Sequence, residues 1–203
     1  MQIIFWILIL LIGYALGNIN GAIIISKCMM KDDVRSHGSG NAGLTNYFRT
    51  YGGFQSLLVI LIDVGKCVLA CLIAAWLLPE QALMAKMAAG VATILGHSYP
   101  AAAGFRGGKG ILCGAALAGS VDWRVFALIL SVFIITVAAT RFVSLGSVLA
   151  ATTFAVSFCI FYWGDPGLCA LALLAAAFVI FRHRSNIVRL VKGTESRLSF
   201  HKK

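Results

Sequence analysis

Charged side chains are scarce in this sequence. They make up 12% of the 203 residues, whereas hydrophobic residues make up 60%. A soluble domain of this length carries about twice that charged fraction, so the composition excludes a water-soluble globular protein. Apolar runs that can cross a hydrocarbon layer of ~30 Å recur along the chain. The sequence therefore predicts an all-α integral membrane protein, one compact bundle forming a single membrane domain over residues 1–203.

Several short motifs are also missing. The six cysteines show no C-x-x-C spacing, so we expect neither a metal site nor a disulfide framework, and no cofactor. Residues 1–17 lack the basic segment of a signal peptide, and we interpret them as a retained first span.

The net charge of +10 would suggest nucleic acid in a soluble protein. In a membrane protein it indicates contact with anionic lipid headgroups instead, so the expected partner is the bilayer and not nucleic acid.

Polar turns divide the chain into seven apolar segments, which predict about seven transmembrane helices. The segments cover approximately residues 2–25, 53–78, 82–97, 110–120, 125–139, 143–163 and 168–181. The fourth is too short to cross the membrane by itself unless the preceding loop is recessed. A five-span arrangement with a re-entrant loop is therefore the alternative.

The distribution of basic residues predicts the orientation. Fourteen of the 17 lysines and arginines lie at 27–50, at 97–110, at 140–142 or in the tail after residue 181. By the positive-inside rule these regions face the cytoplasm, which puts the N-terminus outside and the C-terminus inside. The seven-span and five-span arrangements have the same sidedness. The loops 27–50 and 97–110 and the tail segment 182–197 are then all cytoplasmic.

The loop 97–110 has the chemistry of a phosphate site. It ends in Phe105-Arg106-Gly107-Gly108-Lys109-Gly110. Glycines leave backbone N–H groups unshielded and permit positive φ, so such a loop can surround an anion. Lys109 adds a charge and Arg106 a bidentate donor, although the spacing is not that of a Walker A loop. The alternative is a glycine-rich re-entrant turn whose cations face anionic lipid.

The loop 27–50 and the tail carry further polar side chains. Ser39 requires an adjacent base to act as a nucleophile, and we prefer a hydrogen-bonding role for it. His183 and Asn186 share a face if the last helix continues beyond the membrane. Asp63 and Lys66, three residues apart in an apolar segment, are expected to form a structural ion pair. Glu195 is expected to pair with a cation.

Three motifs in these loops resemble the bacterial acyl-phosphate:glycerol-3-phosphate acyltransferases, and the resemblance extends over about residues 13–195. The first consists of Ser39-Gly40-Asn41-Ala42-Gly43, Thr45-Asn46 and Arg49. The second consists of Gly96-His97, Pro100, Phe105 and Gly107-Gly108-Lys109-Gly110. The third consists of Arg182-His183, Asn186-Ile187, Arg189-Leu190, Gly193 and Glu195. Thr140-Arg141, Ser144, Ser147, Asp63 and Lys66 fit further patterns of that family.

The resemblance implies a specific reaction. Such an enzyme transfers a fatty acyl group from acyl phosphate to the sn-1 hydroxyl of glycerol 3-phosphate, giving lysophosphatidic acid and phosphate, at the cytoplasmic face of a bacterial cell membrane. No obligatory protein partner is evident. The competing hypothesis is a transporter of a small organophosphate anion. The motifs at one face and the lack of an internal repeat argue against it.

The resemblance also assigns candidate roles. The catalytic candidates are Ser39, His97, Lys109, His183 and Asn186. The candidates for binding substrate phosphate are Asn41, Asn46, Arg49, Arg106, Gly107, Gly108, Gly110 and Arg141. The candidates for structural roles are Asp63, Lys66 and Glu195. The base for the attacking hydroxyl is left open among His97, His183 and the phosphate of glycerol 3-phosphate.

The chain departs from the family pattern at two places. Ile111-Leu112-Cys113 replaces a Val-Ala-Thr-like run, and Cys67 stands where glycine usually follows the Asp-x-x-Lys pattern. The His-x-x-x-x-Asp pair of the other large glycerolipid acyltransferase group is absent, because no aspartate lies five residues after His37, His97, His183 or His201. That mechanism is therefore excluded.

Overall fold

The computed structural model describes residues 2–198; Met1 and 199–203, the last part of the basic tail, lie outside the described residues. Helices joined by loops make up these residues, without a strand among them, which confirms the predicted all-α class. The helices group into two compact units, Met1–Val121 and Asp122–Lys203. A single domain over 1–203 stays a prediction.

In the first unit, asparagines break the first apolar segment into two helices, α1 (Gln2–Gly17) and α2 (Gly21–Met29). Asn20 caps α2, since its side-chain oxygen accepts from the Ile23 amide at 3.0 Å. Asn18 donates to the Tyr14 carbonyl at 2.7 Å. The break leaves backbone carbonyls without helical partners, and these need donors from elsewhere in the protein.

Three further apolar helices complete the first unit: α4 (Gln55–Leu77), α5 (Ala82–Ser98) and α6 (Ile111–Val121). The short helix α3 (Leu44–Thr50) and a 3₁₀ turn at Val34–Ser36 lie in the loop before α4. Glycines allow α1 to approach α5 closely. A Cβ on Gly17 would lie 2.5 Å from the Thr93 carbonyl oxygen and 2.9 Å from the His97 amide. This approach brings the end of α5 next to the break after α1.

The second unit contains α7 (Trp123–Thr140), α8 (Val143–Phe161), α9 (Pro166–Arg182) and α10 (Arg184–Val191). Aspartates cap two of them: Asp122 accepts from the Arg124 amide at 2.8 Å, and Asp165 accepts from the Leu168 amide at 3.0 Å. Arg141 ends α7 in the left-handed conformation, with φ at 63°.

The helices give a lower span count than the sequence predicts. Within residues 2–198, four segments are long and apolar enough to cross a membrane: Gln2–Met29, Gln55–Leu77, Trp123–Thr140 and Val143–Phe161. The pair α9 and α10, bent by 58°, makes a fifth if it counts as one span. Seven spans therefore stay a prediction. The upper count of five agrees with the five-span alternative, in which α5, the loop 97–110 and the short helix α6 form the re-entrant part.

Candidate active site

The loop 27–50 is built around the Asn46 side chain. Its amide nitrogen donates to the carbonyls of Val34 and His37, both at 3.0 Å, and its oxygen accepts from the Ser39 amide at 3.0 Å. Asn46 is 4% exposed, so these bonds lie inside the loop. Both amide hydrogens are engaged by loop carbonyls. Asn46 therefore shapes the loop in this structure, and direct contact with phosphate stays a prediction.

Arg35 joins the first loop to the second, a role that the sequence analysis missed. Its guanidinium binds both carboxylate oxygens of Asp33, the shortest contact being 2.7 Å, and donates to the Ala103 carbonyl at 2.7 Å. The hydrogen bond from Arg35 lowers the pKa of Asp33 to about 2. The available signal was the short spacing, because Arg35 follows Asp33 by two residues and the two side chains carry opposite charges.

The glycines of the loop 97–110 allow its backbone to pack closely against the end of α5. The amides of Gly107 and Gly108 donate to the carbonyls of Ser98 at 3.2 Å and His97 at 3.1 Å. A Cβ on Gly108 would overlap His97 Nε2 and lie 2.7 Å from the Ala42 carbonyl oxygen. In this structure backbone carbonyls accept the hydrogens of both amides, and contact of Gly107 and Gly108 with an anion stays a prediction. Gly110, with φ at 83°, does need the left-handed region.

A buried polar network in the first unit connects α4, the break after α1 and the end of α5. Lys66 Nζ lies 2.8 Å from Asp63 Oδ1, which is the predicted pair three residues apart on α4. The same ammonium donates to the Ile19 carbonyl at 2.6 Å, at the break after α1. It also lies 2.9 Å from His97 Nδ1, at the end of α5. The network therefore joins the ion pair to a catalytic candidate, which sequence spacing alone did not indicate.

A second polar cluster forms in the other unit around Glu195. This carboxylate accepts from Ser144 Oγ at 2.8 Å, Asn186 Nδ2 at 2.7 Å and Arg189 Nε at 2.7 Å. The predicted pairing of Glu195 with a cation is thus present. Ser144 and Asn186 were singled out in the sequence, but their convergence on Glu195 was not predicted. The contact with Glu195 fixes the orientation of the Asn186 amide.

His183 lies at the bend between α9 and α10 and is 4% exposed. Its Nδ1 lies 2.8 Å from the Val179 carbonyl oxygen. A carbonyl only accepts, so Nδ1 carries the hydrogen, and Nε2 of the neutral ring is left as an acceptor. Asn186, one turn of helix later, is also buried.

Burial raises the pKa of Glu195, but the hydrogen bonds from Asn186, Ser144 and Arg189 outweigh it and leave the pKa below its ordinary 4.5. A lowered folded-state pKa stabilises the protein above about pH 4.5, and this contribution disappears as the pH falls through the folded-state pKa. We therefore expect Glu195→Gln to lower the apparent melting temperature at pH 7, corresponding to about 1.5–3 kcal/mol for hydrogen bonds to a charged group.

The difference in melting temperature between the variant and the wild type should narrow as the pH falls from about 4.5 through the lower folded-state pKa, where Glu195 becomes protonated in the folded protein. Thermal unfolding in detergent, followed between pH 7 and pH 3, measures both effects. Glu80→Gln is the matched control, because Glu80 is exposed in the turn Pro79–Gln81. An equal effect of the two substitutions at pH 7 would contradict the structural role of Glu195.

The remaining candidates differ in exposure. Ser39 is exposed, as are three of the cationic candidates, Arg49, Arg106 and Arg141, whereas Lys109 and Asn41 are half-buried. The backbone carbonyl of Arg141 accepts from the Leu198 amide at 2.7 Å. The roles of these candidates in binding stay predictions.

The two departures from the family pattern lie against each other. Cys67 Sγ donates to the Cys113 carbonyl at 3.2 Å, and Cys113 Sγ lies 3.6 Å from the Asp63 carbonyl oxygen. Both cysteines are fully buried between α4 and α6. The two positions are therefore one packing contact, and neither thiol reaches the loop surface.

Comparisons with known proteins agree with these motifs. The family described as Glycerol-3-phosphate acyltransferase matches residues 7–193. The chain is 40% identical over 201 residues to a glycerol-3-phosphate acyltransferase of Clostridioides difficile, covering 98% of each chain. It is 38% identical over 192 residues to one of Thermoanaerobacter pseudethanolicus, covering 95% of each.

A solved structure also matches. The crystal structure of PlsY (YgiH), an integral membrane glycerol 3-phosphate acyltransferase, in its glycerol 3-phosphate form superimposes with a TM-score of 0.88. The match covers 96% of each chain at 30% identity. The lysophosphatidic acid form of PlsY matches with a TM-score of 0.84.

Proposed function

Because this chain belongs to the glycerol-3-phosphate acyltransferase family, an integral membrane family of phospholipid biosynthesis, we propose that its acyl donor is an acyl phosphate. The product is then lysophosphatidic acid, acylated at the sn-1 position. The observation that carries the proposal is the loop 97–110, where Arg106 and Lys109 lie between two apolar helices, α5 and α6. An acyl phosphate has a matching division into an apolar chain and an anionic head.

The proposed reaction is an acyl transfer. The sn-1 hydroxyl oxygen of glycerol 3-phosphate attacks the carbonyl carbon of the acyl phosphate. The new ester bond forms as the bond from that carbon to the phosphate oxygen breaks, and inorganic phosphate leaves. The hydroxyl proton passes to a base. Since phosphate is a good leaving group, positioning and charge stabilisation supply much of the catalysis.

For the donor, we assign the phosphoryl group to the side chains of Lys109 and Arg106. The support is chemical: Lys109 is half-buried, so its charge is less screened than that of a fully solvated lysine. Arg106 is exposed and can contact two phosphoryl oxygens. The glycines around Lys109 then act by allowing the close packing of the loop against His97.

For the acceptor, we assign the glycerol hydroxyls to His183 and Asn186. The support is the hydrogen bond from His183 Nδ1 to the Val179 carbonyl at 2.8 Å, which leaves Nε2 able to accept the hydroxyl proton. The hydrogen bond from the Asn186 amide to Glu195, at 2.7 Å, holds this side chain in place one helical turn after His183. Arg49 and Arg141 are proposed to contact phosphate, and Ser39 and Asn41 to donate hydrogen bonds.

The purified protein is expected to release phosphate and form lysophosphatidic acid in equal amounts from palmitoyl phosphate and glycerol 3-phosphate. Lys109→Ala should lose more activity than Lys109→Arg, which keeps the charge. Lys192→Ala is the control for removal of an exposed lysine. Uptake of glycerol 3-phosphate into vesicles without acylation would instead support the transporter.

We also propose that the site faces the cytoplasm of a bacterial cell, with the C-terminus inside and the N-terminus outside. In intact cells, a membrane-impermeant thiol reagent should label Gly164→Cys but not Ser36→Cys; both positions are exposed. The background carries Cys28→Ser, because Cys28 is an exposed native thiol. Permeabilised cells provide the control, in which both variants should react. Labelling of Ser36→Cys from outside would overturn the orientation.

A further inference from the structure

The Lys66 ammonium is fully committed within the buried network. An ammonium group has three hydrogens. Its three nearest acceptors are the Ile19 carbonyl at 2.6 Å, Asp63 Oδ1 at 2.8 Å and His97 Nδ1 at 2.9 Å. The Gly17 carbonyl, at 3.4 Å, is more distant. One ammonium hydrogen therefore points at His97 Nδ1.

His97 Nδ1 faces a second donor as well. The amide nitrogen of Asn20 lies 3.5 Å from it, while the oxygen of that side chain is used in capping α2. Asp63 Oδ1, which can only accept, also lies 3.5 Å from Nδ1, but it already accepts from Lys66 and from the Gly21 amide. A hydrogen on Nδ1 would point at two other hydrogen-bearing nitrogens. Nδ1 is therefore an acceptor.

The charge balance of the network favours a neutral ring. The side chains of Asp63, Lys66 and His97 are 1%, 3% and 4% exposed. Asp63 and Lys66 already neutralise each other, and a third buried charge would be costly in an apolar environment. A neutral imidazole whose Nδ1 accepts must carry its hydrogen on Nε2.

We propose that Lys66 is a positioning residue that fixes His97 as the Nε2–H tautomer. This edge of the ring lies against Gly108, in the loop to which the phosphoryl group of the donor is assigned. His97 is then a hydrogen-bond donor on the loop side and not a general base. The role of His97 as a donor in catalysis rests on the proposed acyl transfer. The assignment of its tautomer does not depend on that reaction. His183 has the opposite tautomer, with the hydrogen on Nδ1.

The tautomer is measured directly by nuclear magnetic resonance of the full-length protein labelled with ¹⁵N in its histidine rings. The chain contains four histidines, so comparison with His97→Gln assigns the signals. We expect the one-bond proton coupling at Nε2 of His97 and not at Nδ1. In Lys66→Met, a hydrogen should appear on Nδ1, because Asp63 Oδ1 becomes its nearest partner. A hydrogen on Nδ1 in the wild type would overturn the proposal.

An unchanged tautomer in a folded Lys66→Met protein would also overturn it. If Lys66→Met does not fold, it is replaced by the double variant Asp63→Asn/Lys66→Met, which removes both buried charges together. The wild-type spectrum tests the proposal in either case. Lys86→Met is the matched control: Lys86 donates to the Ser120 carbonyl at 3.1 Å and does not belong to the network. It should leave the His97 signals unchanged.

Kinetics test the consequence for catalysis. Loss of one correctly placed donor costs about 10²–10³-fold in kcat, which is the effect expected for Lys66→Met. Lys86→Met should retain the wild-type kcat. His97→Gln, which can still donate from its side-chain amide, should lose less than His97→Ala. A wild type without acyl transfer would refute the proposed function and leave the tautomer measurement valid. Equal kcat values for Lys66→Met and wild type would refute the positioning role.

Discussion

Gly108→Ala is expected to remove most of the acyl-transfer activity. The added methyl group would overlap His97 Nε2 and lie 2.7 Å from the Ala42 carbonyl oxygen. Relief of the overlap requires the loop to shift away from both. A displacement of about 1 Å at a catalytic group can cost about 10²-fold in rate, and we expect a loss of at least that order in kcat/KM. Initial-rate measurements with palmitoyl phosphate and glycerol 3-phosphate provide the test.

Gly114→Ala is the matched control for Gly108→Ala. Gly114 lies in α6, four residues beyond the loop, and an added Cβ would meet nothing within 4 Å. Alanine also favours a helix over glycine, so the folded protein should not be weakened. Activity close to wild type in both variants would show that the contact between the loop and His97 does not matter for the reaction.

His183→Gln is expected to lower kcat by about 10²–10⁴-fold, the usual contribution of a general base. The reason is geometric. His183 Nδ1 donates to the Val179 carbonyl, so Nε2 is the basic nitrogen. Glutamine can keep a hydrogen bond but cannot take up the hydroxyl proton near neutral pH. The variant should also lose the acidic limb of the profile of kcat against pH, which reports protonation of the base.

His37→Gln is the control for the loss of a histidine. His37 is exposed, and its Nε2 binds Asp32 Oδ2 at 2.6 Å, in the first loop. It should keep both the rate and the acidic limb. If His183→Gln keeps them as well, His183 is not the base. The phosphate of glycerol 3-phosphate is then the remaining candidate, since Nε2 of His97 carries a hydrogen in the proposed tautomer.

Features that depend on neighbouring residues were predictable. The apolar runs predicted helices, and the observed α5 (Ala82–Ser98) and α8 (Val143–Phe161) begin at the predicted residues. The Asp63–Lys66 pair follows from a spacing of three residues on one helix face. The number of spans did not follow as directly. Length and hydropathy leave the short helix α6 and the bend at His183 open to more than one arrangement.

The contacts that define the site depend on residues far apart in the chain. Lys66 meets His97 because glycines allow α1 to pack closely on α5, and the break at Asn20 supplies carbonyls that need a donor. The periodicity of apolar residues does not predict such contacts between side chains from distant parts of the chain. The same holds for Glu195 in the tail, which accepts a hydrogen bond from Ser144 at the start of α8, 51 residues earlier.

By itself, the sequence determined the helical membrane class, the motif loops and the family resemblance, because composition, periodicity and spacing are local properties of the chain. Only the tertiary structure decided which groups the motif residues contact. It showed that the amides of Gly107 and Gly108 are already paired, that Asn46 holds its own loop together, and that Lys66 directs a hydrogen at His97. The physical reason is that a hydrogen bond depends on distance and direction in space, which only the packed helices fix.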